Sequence, residues 1–247
     1  NTVKIQVKQT TENLSAYELY LQARPLFLSR KKLDIADELL VQAIELDSEY
    51  ADAWAMRAAL QSLMREYDFS DTPIEQVDIN GLEYANKALS INPNSALSLA
   101  VKSKIKKNAN EELRGDFDYA EILEGYNKAL LLEPNNPSTL NWIGLAYQLL
   151  GFQDEALKYF TLCIKSEPHY TPCNSNFIST QTTMGQYQLA IDAYLENFKI
   201  GVVGLTDAPL LALAKEGYEM AFISALNSPG LFEGWHRNGE IFQAFNN

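Results

Sequence analysis

Apolar side chains recur every three or four residues along most of the chain and are interrupted by proline, glycine and asparagine, which predicts consecutive amphipathic helices joined by short turns. The phrase running from Ala156 to Pro168 returns in altered form at Ala36 to Ser48, Tyr84 to Pro93 and Tyr126 to Pro134. Within these copies a mostly small residue is followed seven later by another: Ala36 and Ala43, Gly81 and Ala88, Ile122 and Ala129, Ala156 and Cys163, Ala190 and Asn197. Seven residues are about two helical turns, so both members share a face. A neighbouring helix can approach closely there, while the large residue between them (Leu40, Tyr126, Phe160 or Tyr194) fills the space left over. The pattern predicts helical hairpins.

The punctuation agrees. Asn136-Pro137, Thr171-Pro172 and Ser228-Pro229 each set a capping side chain before a proline suited to the first helical position. Gly151 and Gly185 fall where first helices end and supply the left-handed conformation that lets the chain reverse. Pro25 lies inside an otherwise helical run from Ser15 to Ser29 and predicts a kink or an early stop. At the head, Val3, Ile5 and Val7 alternate with Lys4, Gln6 and Lys8, which reads as an extended strand or a stub of linker. At the tail, Leu231, Trp235, Phe242 and Phe245 recur at helical spacing and predict a capping helix over the last hairpin.

Pro134 and Pro168 stand 34 residues apart, whereas Pro93 and Pro134 are separated by 41 and Ser48 and Pro93 by 45. The excess falls in two polar stretches, around Arg65 to Asp78 and Asn108 to Asp118. A period of 34 is that of tetratricopeptide repeats, and Gly144, Tyr147, Ala156, Phe160 and Pro168 occupy that family's signature positions. The chain therefore resembles a tetratricopeptide-repeat protein. The resemblance implies an all-α, right-handed superhelical solenoid of about five helix-turn-helix units with C-terminal capping helices. Units are expected at 17–50, 51–95, 96–136, 137–170 and 171–204, after an extended head or linker remnant at 1–16 and before a helical cap at 205–247. The position usually held by Gly or Ala in the first helix carries Arg24 in the first unit and Ile178 in the fifth, so hairpin closure is expected to be less tight there. The run from Asn13 to Arg24, with Ala43 to Asp47 and Tyr50 to Ala55, also resembles the repeat region of bacterial winged-helix transcriptional regulators and adenylate-cyclase-like signalling proteins. That implies a regulatory context and no reaction.

Charge narrows the partners. The 20 Lys and Arg against 32 Asp and Glu leave a net charge of -12, so attraction to a phosphate backbone is absent and no nucleic acid is expected. Basic proteins or peptides fit better. The longest apolar run, around Pro209 to Ala214, falls well short of the roughly 20 residues of a membrane span, and no signal peptide opens the chain. A soluble domain of the bacterial cytoplasm or periplasm is expected. Since the chain starts at Asn1 rather than Met, it reads as a piece of a longer protein that could be membrane-anchored. Oligomeric state is left open.

No enzyme is expected, and no cofactor or metal. There is no phosphate loop, no zinc-binding His-Glu-x-x-His, no nucleophile elbow and no Cys/His cluster. Glu111, Glu112, Asp116 and Asp118 lack calcium-loop spacing and read as a solvated loop. His169 and His236 read as surface or packing residues. Cys163 and Cys173, ten residues apart, could be bridged only if the intervening turn brought their Cα atoms within about 7 Å; free thiols are the favoured expectation.

The dense basic run is Lys102, Lys104, Lys106 and Lys107, in which Lys104 and Lys107 share one helical face and Lys102 and Lys106 another. It reads as a solvated face or as an anchor for an acidic segment. The family register places Met56, Ala59 and Leu63, then Val101, Lys104 and Asn108, then Asn141, Leu145, Gln148 and Leu149, then Ser175, Ser179 and Thr182 along a concave groove. The set of Lys, Asn and Arg with which some relatives clamp a carboxyl-terminal peptide is not reproduced, so chaperone-tail recognition is not expected. The expected function is a non-enzymatic interaction scaffold that binds a peptide or protein segment in this groove, as the sensory or regulatory part of a larger bacterial signalling or transcription-regulatory protein. The alternative is a small-molecule sensor with its ligand near Trp235, Tyr218 and neighbouring aromatic residues.

Overall fold

A computed structural model describes residues 11–67, 69–111 and 116–202 of the 247. The strand expected at Val3 to Val7, the capping helix with Leu231, Trp235, Phe242 and Phe245, Ser228-Pro229 and Tyr218 all lie outside the described residues. Among the described residues there are eleven helices and no strand. The helices are α1 (Leu14–Ser29), α2 (Leu33–Leu46), α3 (Ala51–Gln61), the one-turn α4 (Met64–Tyr67), α5 (Ile74–Ile91), α6 (Ala96–Glu111), α7 (Tyr119–Leu132), α8 (Pro137–Leu149), α9 (Gln153–Ser166), α10 (Thr171–Thr183) and α11 (Tyr187–Lys199). They fall into two compact units, Asn1–Ala146 and Tyr147–Asn247.

In the first unit α1 packs on α2, α3 on α5 and α6 on α7, while α2 meets α3, and α6 meets both α3 and α5. In the second, α10 packs on α9 and α11. The pairs of residues seven apart line these contacts. Ala36, Ala43, Ala88, Ile122, Ala129, Ala156, Cys163 and Ala190 are wholly buried, and Gly81 and Asn197 are buried with them. Leu40, Tyr126 and Phe160 fill the intervening positions with no exposure at all. Ile122 departs from the small-residue rule because the close approach in α7 has moved three residues on. A Cβ built at Gly125 would lie 2.1 Å from the Ser103 hydroxyl of α6.

Turn chemistry follows from the residues that carry it. Asn136 Oδ1 accepts the Thr139 N–H at 3.0 Å and starts α8 at Pro137. Gly151 (φ 85°) and Gly185 (φ 73°) are left-handed, as their positions after first helices require. Thr171 differs from expectation: it is the first residue of α10, and Tyr170 takes the cap position.

The first hairpin also differs. Its turn uses two left-handed non-glycine residues, Arg30 (φ 56°) and Lys32 (φ 54°), and in α1 Ala23 is buried while Arg24 is exposed. Closure is therefore made by alanine, and the expected loosening at Arg24 does not arise. Nor does Pro25 stop the helix. It sits on an exposed stretch with Leu21, Gln22 and Arg24, where water can satisfy the carbonyl deprived of its helical donor. Residues 14–16, expected in the extended head, belong to α1. In α10, Ile178 is buried against Ala190 and Val202, so the larger residue meets a small partner.

Cys163 and Cys173 form a disulfide, with Cα atoms 6.2 Å apart, which corrects the expectation of free thiols. The reason is the turn between α9 and α10. Tyr170 N–H donates to Glu167 O at 3.0 Å, and the Asn174 side-chain amide donates to Pro168 O at 3.0 Å and to Tyr170 O at 3.1 Å, so the chain reverses tightly enough to align the two side chains.

Candidate functional site

The Asn1–Ala146 unit contains a cavity of about 270 Å³ whose walls come from four segments. From α1 come Tyr20, Arg24, Phe27 and Leu28, and from α3 come Asp52, Ala55 and Met56. The turn into α6 contributes Asn92, Asn94 and Ser95, followed by Ala96 and Leu97, and the turn into α8 contributes Glu133, Asn136, Pro137 and Ser138. The amides are held by the turns they build. Asn92 Oδ1 accepts the Asn94 N–H at 3.1 Å, and Asn136 caps α8 while its Nδ2 donates to Glu133 Oε2 at 2.9 Å. Tyr20 is fixed against Tyr50, with ring centroids 5.3 Å apart. Burial raises the Tyr20 hydroxyl pKa above its ordinary range, the carboxylates of Asp52 and Glu133 raise it further, and Arg24 opposes them. These four charged or ionisable groups all line the cavity.

The chemistry on offer is recognition. Side-chain amides and hydroxyls can bond a backbone, while Tyr20, Phe27, Met56 and Leu97 offer apolar contact. The volume lies just under the roughly 300–1,000 Å³ typical of small-molecule sites. Among the described residues no group of three or more His, Cys, Asp or Glu could hold a metal ion.

Seven of the thirteen residues expected along the groove lie in the interior, Ala59 with no exposure at all. Met56, Leu63, Val101, Lys104, Asn108 and Asn141 are all less than about a twentieth exposed, and of these Met56 lines the cavity. Leu145, Gln148, Ser175 and Ser179 are half-buried; Gln148 Nε2 donates to Thr180 Oγ1 at 3.1 Å. The difference has a physical cause: α3 and α6 each meet several other helices, so the face that a simple register leaves free is covered. Asn108 reaches back to Ser62 O at 3.5 Å.

The lysine run divides as helical geometry requires. Lys104 is fully buried; its ammonium donates to Glu66 Oε1 and lies 5.6 Å from the centroid of the Trp142 ring. Burial holds its pKa below the ordinary lysine value, and Glu66 offsets part of that effect. Lys107 is buried against Glu111. Lys102 and Lys106, on the other face, pair with Asn86 and Glu121. All four ammonium groups expected to anchor a partner thus have partners within the fold, and two of the four lysines are buried.

Residues 137–170 match the family model for the tetratricopeptide repeat. The fold is that of tetratricopeptide-repeat solenoids. A thermophilic tetratricopeptide-repeat protein of Thermus thermophilus superposes with a TM-score of 0.61 at 16% identity, covering 81% of this chain and 98% of its own. Pseudomonas aeruginosa PilF gives 0.58 at 19% identity over 93% of this chain and 97% of its own. PilW, a type IV pilus biogenesis factor, gives 0.56 at 18% identity over 85% of this chain and 90% of its own. In sequence, 102 residues (41% of this chain) are 26% identical to the small glutamine-rich tetratricopeptide repeat-containing protein 2 of Mycosarcoma maydis and span 29% of that protein. Tetratricopeptide-repeat proteins act as protein–protein interaction scaffolds and are typically non-enzymatic. Among the described residues no helix is long and apolar enough to cross a membrane.

Proposed function

We propose that this tetratricopeptide-repeat chain is a non-enzymatic interaction module that holds an extended protein segment in the cleft of its Asn1–Ala146 unit. The observation that carries the reading is the cleft itself, where fixed side-chain amides from two turns face apolar side chains of α1, α3 and α6. Such a surface bonds a backbone without demanding one sequence. The likeness of residues 13–60 to the repeats of bacterial regulators supports a further step: the module is the sensory or regulatory part of a larger signalling or transcription-regulatory protein.

The test pairs two substitutions. Leu97→Glu places a charge in the cleft, and Leu131→Glu places the same charge on a residue 82% exposed in α7, outside it. Both variants should melt near the parent, since exposed and half-exposed changes away from caps and core alter stability little. In a pull-down from the native host, Leu131→Glu should capture the parent's partners and Leu97→Glu should lose them. Equal capture by both variants would show that partners bind elsewhere.

A further inference from the structure

We infer that the cleft selects a basic side chain, lysine or arginine, from the segment it holds; this rests on the reading of the cleft as a segment-binding site. Asp52 on α3 and the exposed Glu133 that follows α7 are far apart in sequence, yet both line the cavity beside Tyr20 of α1. Two carboxylates thus share the wall of a cavity of about 270 Å³ with the Tyr20 ring; the Phe27 ring already carries the Arg30 guanidinium, 4.4 Å from its centroid. Carboxylate oxygens accept from an ammonium or guanidinium, and an aromatic face within about 6 Å of a cation adds further attraction. Asp52 is half-buried, so its field is less screened than that of a surface carboxylate.

Charge balance gives the direction of selection. Among the lining residues Arg24 alone is cationic, against two carboxylates. An acidic side chain would meet that one guanidinium and the repulsion of both carboxylates, and a neutral one would make no use of them. Arg24 is exposed on α1, so an incoming cation competes with a side chain that can turn out into water. The whole chain adds to the preference, because a net charge of -12 draws basic ligands toward it.

The experiment uses the full chain, labelled with ¹⁵N and titrated with three capped pentapeptides, acetyl-Gly-Gly-X-Gly-Gly-amide, in which X is arginine, citrulline or glutamate. Citrulline keeps the shape of arginine and removes its charge. The arginine peptide should shift the amide resonances of Tyr20, Asp52, Ser95 and Ser138 with a dissociation constant at least about tenfold below that of the citrulline peptide, and should weaken as salt is added. Asp52→Asn and Glu133→Gln should each weaken it several-fold, whereas Arg24→Ala should tighten it. Citrulline binding as well as arginine at these residues would overturn the selection and leave the segment-binding reading standing. A preference for the glutamate peptide, or tighter binding on Glu133→Gln, would overturn it too. If no peptide shifts the cleft while Leu97→Glu still loses its partners, selection again fails and the cleft stands. If Leu97→Glu also keeps its partners, both fail.

Discussion

The contact that brings α5 against α6 can be tested at the level of single atoms. Gly81 of α5 is buried, and a Cβ added to it would lie 2.7 Å from Ile105 Cδ1, 3.2 Å from Gln61 Cβ and 3.7 Å from Ala58 O. The first distance is too short to exist, so Gly81→Ala must displace Ile105, which is itself 3% exposed and has little room to move. Overpacking of this kind costs about 1–3 kcal/mol, while replacing a helical glycine by alanine returns about 1 kcal/mol. The single variant should therefore lose between nothing and about 2 kcal/mol. Ile105→Val removes the clashing Cδ1 and by itself should lose about 0.5–1.5 kcal/mol. In the double variant the new methyl group occupies the space vacated by Cδ1, so the two losses should not add; the coupling should restore about 1 kcal/mol. Urea denaturation of the four proteins measures the cycle. Fluorescence of Trp54 is a suitable probe because its ring lies 5.6 Å from that of Tyr84 on α5. Losses that add to within about 0.5 kcal/mol would refute the close approach, as would a Gly81→Ala variant stabilised by its full helical gain.

Two further predictions concern groups buried away from the cleft. Lys104→Met removes a wholly buried ammonium whose partner Glu66 has a side chain 42% exposed and can return to water, so the variant should escape the loss of about 3–5 kcal/mol typical of a broken buried pair. Because the folded pKa of Lys104 is lowered, the cost of its charge is fully present below that pKa; between it and the unfolded value the unfolded chain binds more protons. Parent stability should therefore rise relative to Lys104→Met as pH climbs through that window toward 10.5, and a difference in urea midpoints that stays constant with pH would contradict this. Reduction of the Cys163–Cys173 bridge, which closes a loop of separation 10, should lower stability by about 3 kcal/mol on the loop-entropy account. Thiol titration of the denatured, unreduced chain should find no free cysteine, and two titratable thiols would refute the bridge.

The helical core was legible because its rule is local. A small residue and another seven positions later need only one helix to share a face, and the buried row from Ala36 through Asn197 follows it. Gly151 and Gly185 were equally readable, since their backbone conformation depends on the turn alone. What escaped depended on neighbours that the local pattern does not specify. The turn runs through left-handed Arg30 and Lys32, which no glycine signals, and Ala23 rather than Arg24 is the buried residue of α1. The disulfide depends on how closely Tyr170 and Asn174 fold the turn back. The groove mapping assumed that each first helix keeps a free face, whereas α3 and α6 are covered by several neighbours at once.

The cleft residues did leave a trace in the sequence, in the asparagines of Asn92-Pro93-Asn94 and Asn135-Asn136-Pro137. A capping explanation accounts for them fully, which is why nothing prompts a second role. Asn136 shows how the two roles coexist: its Oδ1 caps α8 through Thr139, its Nδ2 holds Glu133, and its remaining surface forms part of the cleft wall. A turn that must be rigid to start a helix is also a turn that presents fixed hydrogen-bonding groups, so the segments between repeats supply recognition without ordering any new residue on binding. The interior helices are then free to be chosen for packing alone. In α6, Lys104 and Lys107 are engaged internally, while the charges that line the cleft, Arg24, Asp52 and Glu133, come from α1, α3 and the turn after α7.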